Sequence, residues 1–100
     1  MTKYAPIDQV LSQWAIENGV RWYTEYQNEE VRTFSLNENR RDRVQIAVDV
    51  PEDRQTVIRI GQNQRGLARL NRVENLTSSL LDLSASLDKA LEIAREWAAQ

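Results

Sequence analysis

The chain has 100 residues, of which 41% are apolar and 28% charged, and its formal net charge is −2. A domain of this size buries roughly two thirds of its unfolded surface, so one self-sufficient core spanning residues 1–100 is expected and a disordered chain is excluded. Cysteine and histidine are both absent. Their absence removes disulfides, thiolate zinc sites, cysteine nucleophiles, Ser-His-Asp chemistry and histidine metal motifs.

The first residues, Met1 to Pro6, lead into an amphipathic segment and lack the apolar run of a signal peptide. No stretch approaches the ~18 apolar residues of a membrane span. A cytosolic protein without a membrane partner is the expectation.

Pro6 preorganises a first helical turn, and Ile7, Val10, Leu11, Trp14 and Ala15 recur at helical spacing. Asn18-Gly19 supplies a left-handed stop, so a helix is expected over residues 6–18. From Val20 the period becomes two: Val20, Trp22, Thr24 and Tyr26 share one face of a strand over 20–27. Arg21, Tyr23, Glu25 and Gln27 share the other.

A polar turn at Asn28-Glu29-Glu30 leads to a second strand over 31–36, with Phe34 and Leu36 on one side and Thr33 and Ser35 on the other. After the polar loop Asn37 to Asp42, Val44, Ile46, Val48 and Val50 alternate with Arg43, Gln45, Ala47 and Asp49. This third strand, 43–50, carries the clearest strand signal in the chain. Proline has no ladder donor, so Pro51 to Gln55 reads as a hairpin connection into a fourth strand over 56–61.

Residues 62–66 read as loop, and 67–73 as either loop or a short helix. Leu76, Leu80, Leu83, Leu87, Ala90, Ala94 and Trp97 then recur at intervals of four and three residues, which predicts a long amphipathic helix over 75–98. The fold class is therefore α+β: a four-stranded antiparallel meander in the order α-β-β-β-β-α. Both helices are expected on one face. The inner layer draws on Trp22, Tyr26, Phe34, Val44, Ile46, Val48, Ile58 and Ile60, packed against Trp14, Leu80, Leu83, Leu87 and Trp97.

The adjacent carboxylates Glu29-Glu30 and Glu52-Asp53 fall in turns, where water keeps their pKa values together, and read as solvated charges. No catalytic motif, cofactor cradle or metal-ligand set is present in the sequence, so no catalytic, cofactor or metal residue is assigned. An enzyme restricted to carboxylate, tyrosine and arginine side chains is the last-ranked alternative.

Charge is uneven along the chain. Residues 1–53 carry 6 positive and 10 negative groups, residues 54–72 carry 5 and none, and residues 73–100 carry 2 and 5. Arg54, Arg65, Arg69 and Arg72, with Arg40 and Arg41, define a nucleic-acid alternative through phosphate contacts. The acidic balance of the whole chain argues against it.

The leading expectation is a protein-binding module, an adaptor, inhibitor or immunity-type partner, that uses the open sheet face. Arg21, Tyr23, Arg43, Gln45 and Arg59 are its candidate residues, since tyrosine among arginines is the composition enriched at interface hot spots. A homodimer through an edge strand or the open face is a further expectation. In size, charge and element pattern the chain broadly resembles small bacterial binding proteins such as toxin-immunity proteins and secretion chaperones. The resemblance carries over no functional residue.

Overall fold

The computed structural model describes residues 3–36, 43–63 and 72–99. It contains two helices and a five-stranded antiparallel sheet, in the order α1 (Ala5–Asn18), β1 (Arg21–Tyr26), β2 (Glu29–Leu36), β3 (Arg43–Val48), β4 (Gln55–Asn63), β5 (Arg72–Ser79) and α2 (Leu83–Ala99). The strands lie in sequence order, β1-β2-β3-β4-β5.

Helix α1 begins on Pro6 and ends as its sequence dictates. Gly19 takes the left-handed conformation at φ 63°, and its N–H reaches the Ile16 carbonyl. The Val20 N–H reaches back to the Ala15 carbonyl at 3.1 Å. These two bonds satisfy carbonyls that the helix end would otherwise leave without donors. Ile7, Leu11, Trp14 and Ala15 are buried along one stripe.

Among the described residues, two connections of the meander are tight turns whose central residues all have positive φ. Gln27 and Asn28 lie at 49° and 67°, and Asp53 and Arg54 at 51° and 64°. Such turns match the twist of the flanking strands but favour asparagine and glycine over long side chains. The first turn is therefore Gln27-Asn28, and Glu29-Glu30 opens β2 instead of forming the turn expected from sequence.

The count of four strands is corrected to five. Residues 75–79, expected as the first turn of the last helix, belong to β5, which pairs with β4 from Gln62↔Arg72 to Gln55↔Ser79. Leu76 and Leu80 met the helical spacing by coincidence, whereas Asn75, Thr77, Ser78 and Ser79 are poor helix-interior residues. Helix α2 starts after a reciprocal contact: the Ser79 hydroxyl donates to Asp82 Oδ2 at 3.0 Å and accepts the Asp82 N–H at 3.2 Å. Ser79-Leu80-Leu81-Asp82 thus has the spacing of a capping box and marks the start of the turn into the helix.

Cross-strand register defines the two faces. Phe34, Ile46 and Ile60 stand in one row, and Leu36, Val44 and Gln62 in the next. Phe34, Val44, Ile46, Val48, Ile58 and Ile60 join Ile7, Leu11, Trp14, Leu83, Leu87, Ala90, Leu91, Ala94 and Trp97 in one buried cluster. The Trp14 ring meets Phe34 edge-on at 4.8 Å, while Trp22 stacks on the same ring at 5.9 Å. Trp14 also donates its Nε1–H to Asp88 on α2 at 2.9 Å.

Three residues expected in the inner layer lie outside the buried set. Tyr26, at the far end of β1, is 64% exposed, and Trp22 and Leu80 are only half-buried. Val50 falls beyond the end of β3 and is also exposed.

Candidate functional site

The face opposite Phe34 is built by alternation from small and polar residues. Arg21, Ser35, Gln45, Gly61 and Val73 form one cross-strand row, and Tyr23, Thr33, Ala47, Arg59 and Asn75 form the next. Four of the five residues expected at a partner site, Arg21, Tyr23, Gln45 and Arg59, therefore share two neighbouring rows. Arg43 occupies the same parity on β3, opposite Asn63.

The chemistry of this face is mixed. The Arg21 guanidinium lies 5.5 Å from the Tyr23 ring centre. Tyr23 is 39% exposed, and Gln45 is half-buried between its neighbours. Arg59 is exposed and pairs with Asp49 at 2.8 Å across the β3–β4 hairpin. Ser35, Ala47 and Gly61 put small residues between these side chains, Gly61 itself buried, with Tyr23 and Arg59 along one row.

The arginines of the alternative site do not come together among the described residues. Arg54 sits in the left-handed turn at one end of β4, and Arg72 lies at the start of β5 with its guanidinium 4.3 Å from the Trp97 ring centre. Arg40, Arg41, Arg65 and Arg69 lie outside the described residues. Glu52 and Asp53 are exposed in their turn.

A second constellation, not anticipated from the sequence, centres on Arg32. The β1–β2 register shifts between Tyr23 and Glu25, so that Val31 and Arg32 together stand opposite the single residue Thr24. This is a bulge, and it breaks the ladder locally. Arg32 supplies donors at that break: its Nη1 donates to the carbonyls of Thr24 at 3.0 Å and Val31 at 2.8 Å.

The rest of the guanidinium faces α1. Nε and Nη2 donate to the two carboxylate oxygens of Asp8 at 2.6 and 3.0 Å, a two-pronged pairing. The Tyr4 ring covers the guanidinium at 4.5 Å. Arg32 is only 5% exposed. Its hydrogen bond to Asp8 raises its already high pKa further, so it stays charged.

Tyr4 is buried as well, and its hydroxyl donates to the Val48 carbonyl at 2.9 Å. Burial, with Asp49 nearby, pushes the Tyr4 phenol above its ordinary value near 10. Beside Arg32, an open depression is lined by Thr24, Glu25, Asn28 and Glu30. The sequence held one signal for this cluster: Arg32 has the parity of Phe34 and Leu36, which places a charge on the buried face and demands a partner.

Among the described residues no group of three or more carboxylates is arranged to hold a metal ion, and no helix is long and apolar enough to cross a membrane. Comparison with family models, curated proteins and solved structures finds no match.

Proposed function

We propose that the protein is a binding module for another protein, an adaptor, inhibitor or immunity-type partner, acting by surface complementarity without catalysis. In this reading both helices cover the Phe34 face and leave the Tyr23 face open to the partner. The Trp14 contact with Phe34 and the hydrogen bond from Gln62 to the Trp97 carbonyl at 3.3 Å support that arrangement, because Phe34 and Gln62 share a face.

One observation carries the proposal: the register aligns Arg21, Tyr23, Gln45 and Arg59 in two adjacent rows on the side away from the buried cluster. Tyrosine and arginine contribute most at interface hot spots, and neighbouring small residues let a partner approach the strand backbone closely. Nucleic-acid binding has no comparable support among the described residues, since Arg54 and Arg72 do not come together and the Arg72 guanidinium lies against the Trp97 ring.

The test is affinity capture of cellular proteins on the immobilised chain, read by mass spectrometry, with Tyr23→Ala and Arg59→Ala run beside it. A specific protein captured by the native chain and lost from both variants is the expected result. Capture that is indifferent to both substitutions, or no specific capture at all, overturns the reading.

A further inference from the structure

We propose that β5 is a self-association edge: two copies of the chain pair antiparallel through β5 and form a two-fold dimer with one continuous ten-stranded sheet. The proposal stands on the sheet edges and does not depend on what the Tyr23 face binds. A sheet edge presents unpaired backbone N–H and C=O groups, and proteins usually blunt it with bulges, proline, lysine or short length. The edge strands are β1 and β5, and they differ in length and in the regularity of the ladder behind them.

Strand β1 has six residues, its ladder to β2 is broken by the bulge, and Arg32 takes up the Thr24 carbonyl. Strand β5 has eight residues, Arg-Val-Glu-Asn-Leu-Thr-Ser-Ser, without proline, glycine or lysine. Its pairing with β4 runs through eight consecutive residue pairs with no irregularity. Among the described residues, no backbone group outside β4 bonds to the backbone of residues 73–77.

The sequence of β5 is compatible with its own copy. Antiparallel neighbours directly opposite share a face, so the two-fold axis must pass beside a single residue. An axis at Glu74 sets like charges opposite each other, and one at Asn75 sets Leu76 against Glu74. An axis at Leu76 sets Leu76 against Leu76, Asn75 against Thr77, Glu74 against Ser78 and Val73 against Ser79. That register has no charge conflict, and it covers a half-buried leucine at the margin of the core with its own copy.

One open edge and one blunted edge per chain also define the size of the assembly. Pairing β5 with β5 uses the same patch on both copies and closes at two, whereas two open edges would permit unlimited growth. The expected species is a dimer and nothing larger.

Sedimentation of the full chain over a concentration series tests this, with circular dichroism confirming that each variant keeps its fold. The native chain is expected to show a monomer–dimer equilibrium. Asn75→Lys with Thr77→Lys places lysines opposite each other twice and should weaken the dimer about tenfold or more. Asn75→Lys with Thr77→Glu places opposite charges there and should restore it.

The chain has no cysteine, so Leu76→Cys gives a clean second readout. Under mild oxidation it should cross-link to a dimer that Glu92→Cys on α2 does not form. A native chain that stays monomeric at millimolar concentration overturns the proposal. So does a dimer equally stable in the double-lysine and the lysine–glutamate variants, or one dispersed by Tyr23→Ala instead.

Discussion

The two ends of the sheet handle the same physical problem in opposite ways. At β1 the ladder is interrupted, and a buried arginine supplies hydrogen bonds at the break while pinning the strand pair to α1. At β5 the ladder is regular to its last residue, and among the described residues no backbone group outside β4 bonds to the backbone of residues 73–77. Irregularity therefore marks the protected end and regularity the exposed one. A buried charge, ordinarily a liability, is at β1 held by the same bonds that bridge the break in the ladder.

The largest expected effect comes from breaking the Arg32 clamp. Arg32→Ala removes the two-pronged pairing with Asp8 and the donor shared by two carbonyls, which should cost about 3–4 kcal/mol in urea unfolding. If the clamp also blunts the edge, the variant should gain a second adhesive strand and form species larger than dimers in light scattering. Asp8→Ala should cost about 3 kcal/mol, because it strands a buried guanidinium. Destabilisation without growth in size would confine the clamp's role to stability.

A smaller effect is expected at Tyr4, which lines the same clamp. Its folded-state pKa is raised by burial, so the stability it contributes is present below pH 10 and lost as pH rises through the folded value. Tyr4→Phe should cost about 1 kcal/mol through the lost bond to Val48, and it should flatten the alkaline end of the stability profile. An unchanged alkaline slope would show that other groups control it.

The smallest effects compare the two turns, one joining the edge strand β1 to β2 and the other joining the interior strands β3 and β4. Arg54 occupies a left-handed position that suits glycine, so Arg54→Gly should stabilise the protein by about 1 kcal/mol in thermal or urea unfolding. Asparagine already tolerates that conformation, and Asn28→Gly should gain only about 0.3 kcal/mol. Equal gains at both turns would mean that contacts of the Arg54 side chain, not its backbone, matter there.

Much of this architecture was legible in the residues. Alternation from Val44 to Val48, the break at Pro51 and the left-handed Gly19 each state a local preference that the packed structure keeps. The Leu76 segment fits a helical pattern because an apolar residue every third or fourth position satisfies a helix, while an edge strand half-buried on one side leaves almost no alternation to detect. The Ser79 to Asp82 spacing is the competing signal, and it places the start of the helix after Leu76 and Leu80.

The candidate face was readable because alternation alone assigns Arg21, Tyr23, Gln45 and Arg59 to one side. The Arg32 constellation was not. Its partners come from residues 8, 24 and 31 on three elements, and the bulge that brings them together depends on a register that no local pattern specifies.

The hydrogen bond from Trp14 to Asp88 joins residues 74 positions apart, and it bears on the order in which the molecule is made. Every strand pairs with its neighbour in sequence, so hairpins can form as the chain emerges. Helix α1 is synthesised first, yet its tryptophan is not fully enclosed until α2 arrives. At usual synthesis rates of about 5–20 residues per second, roughly 4–16 seconds separate the two. Through that interval Ile7, Leu11 and Trp14 lack the part of their cover that α2 supplies.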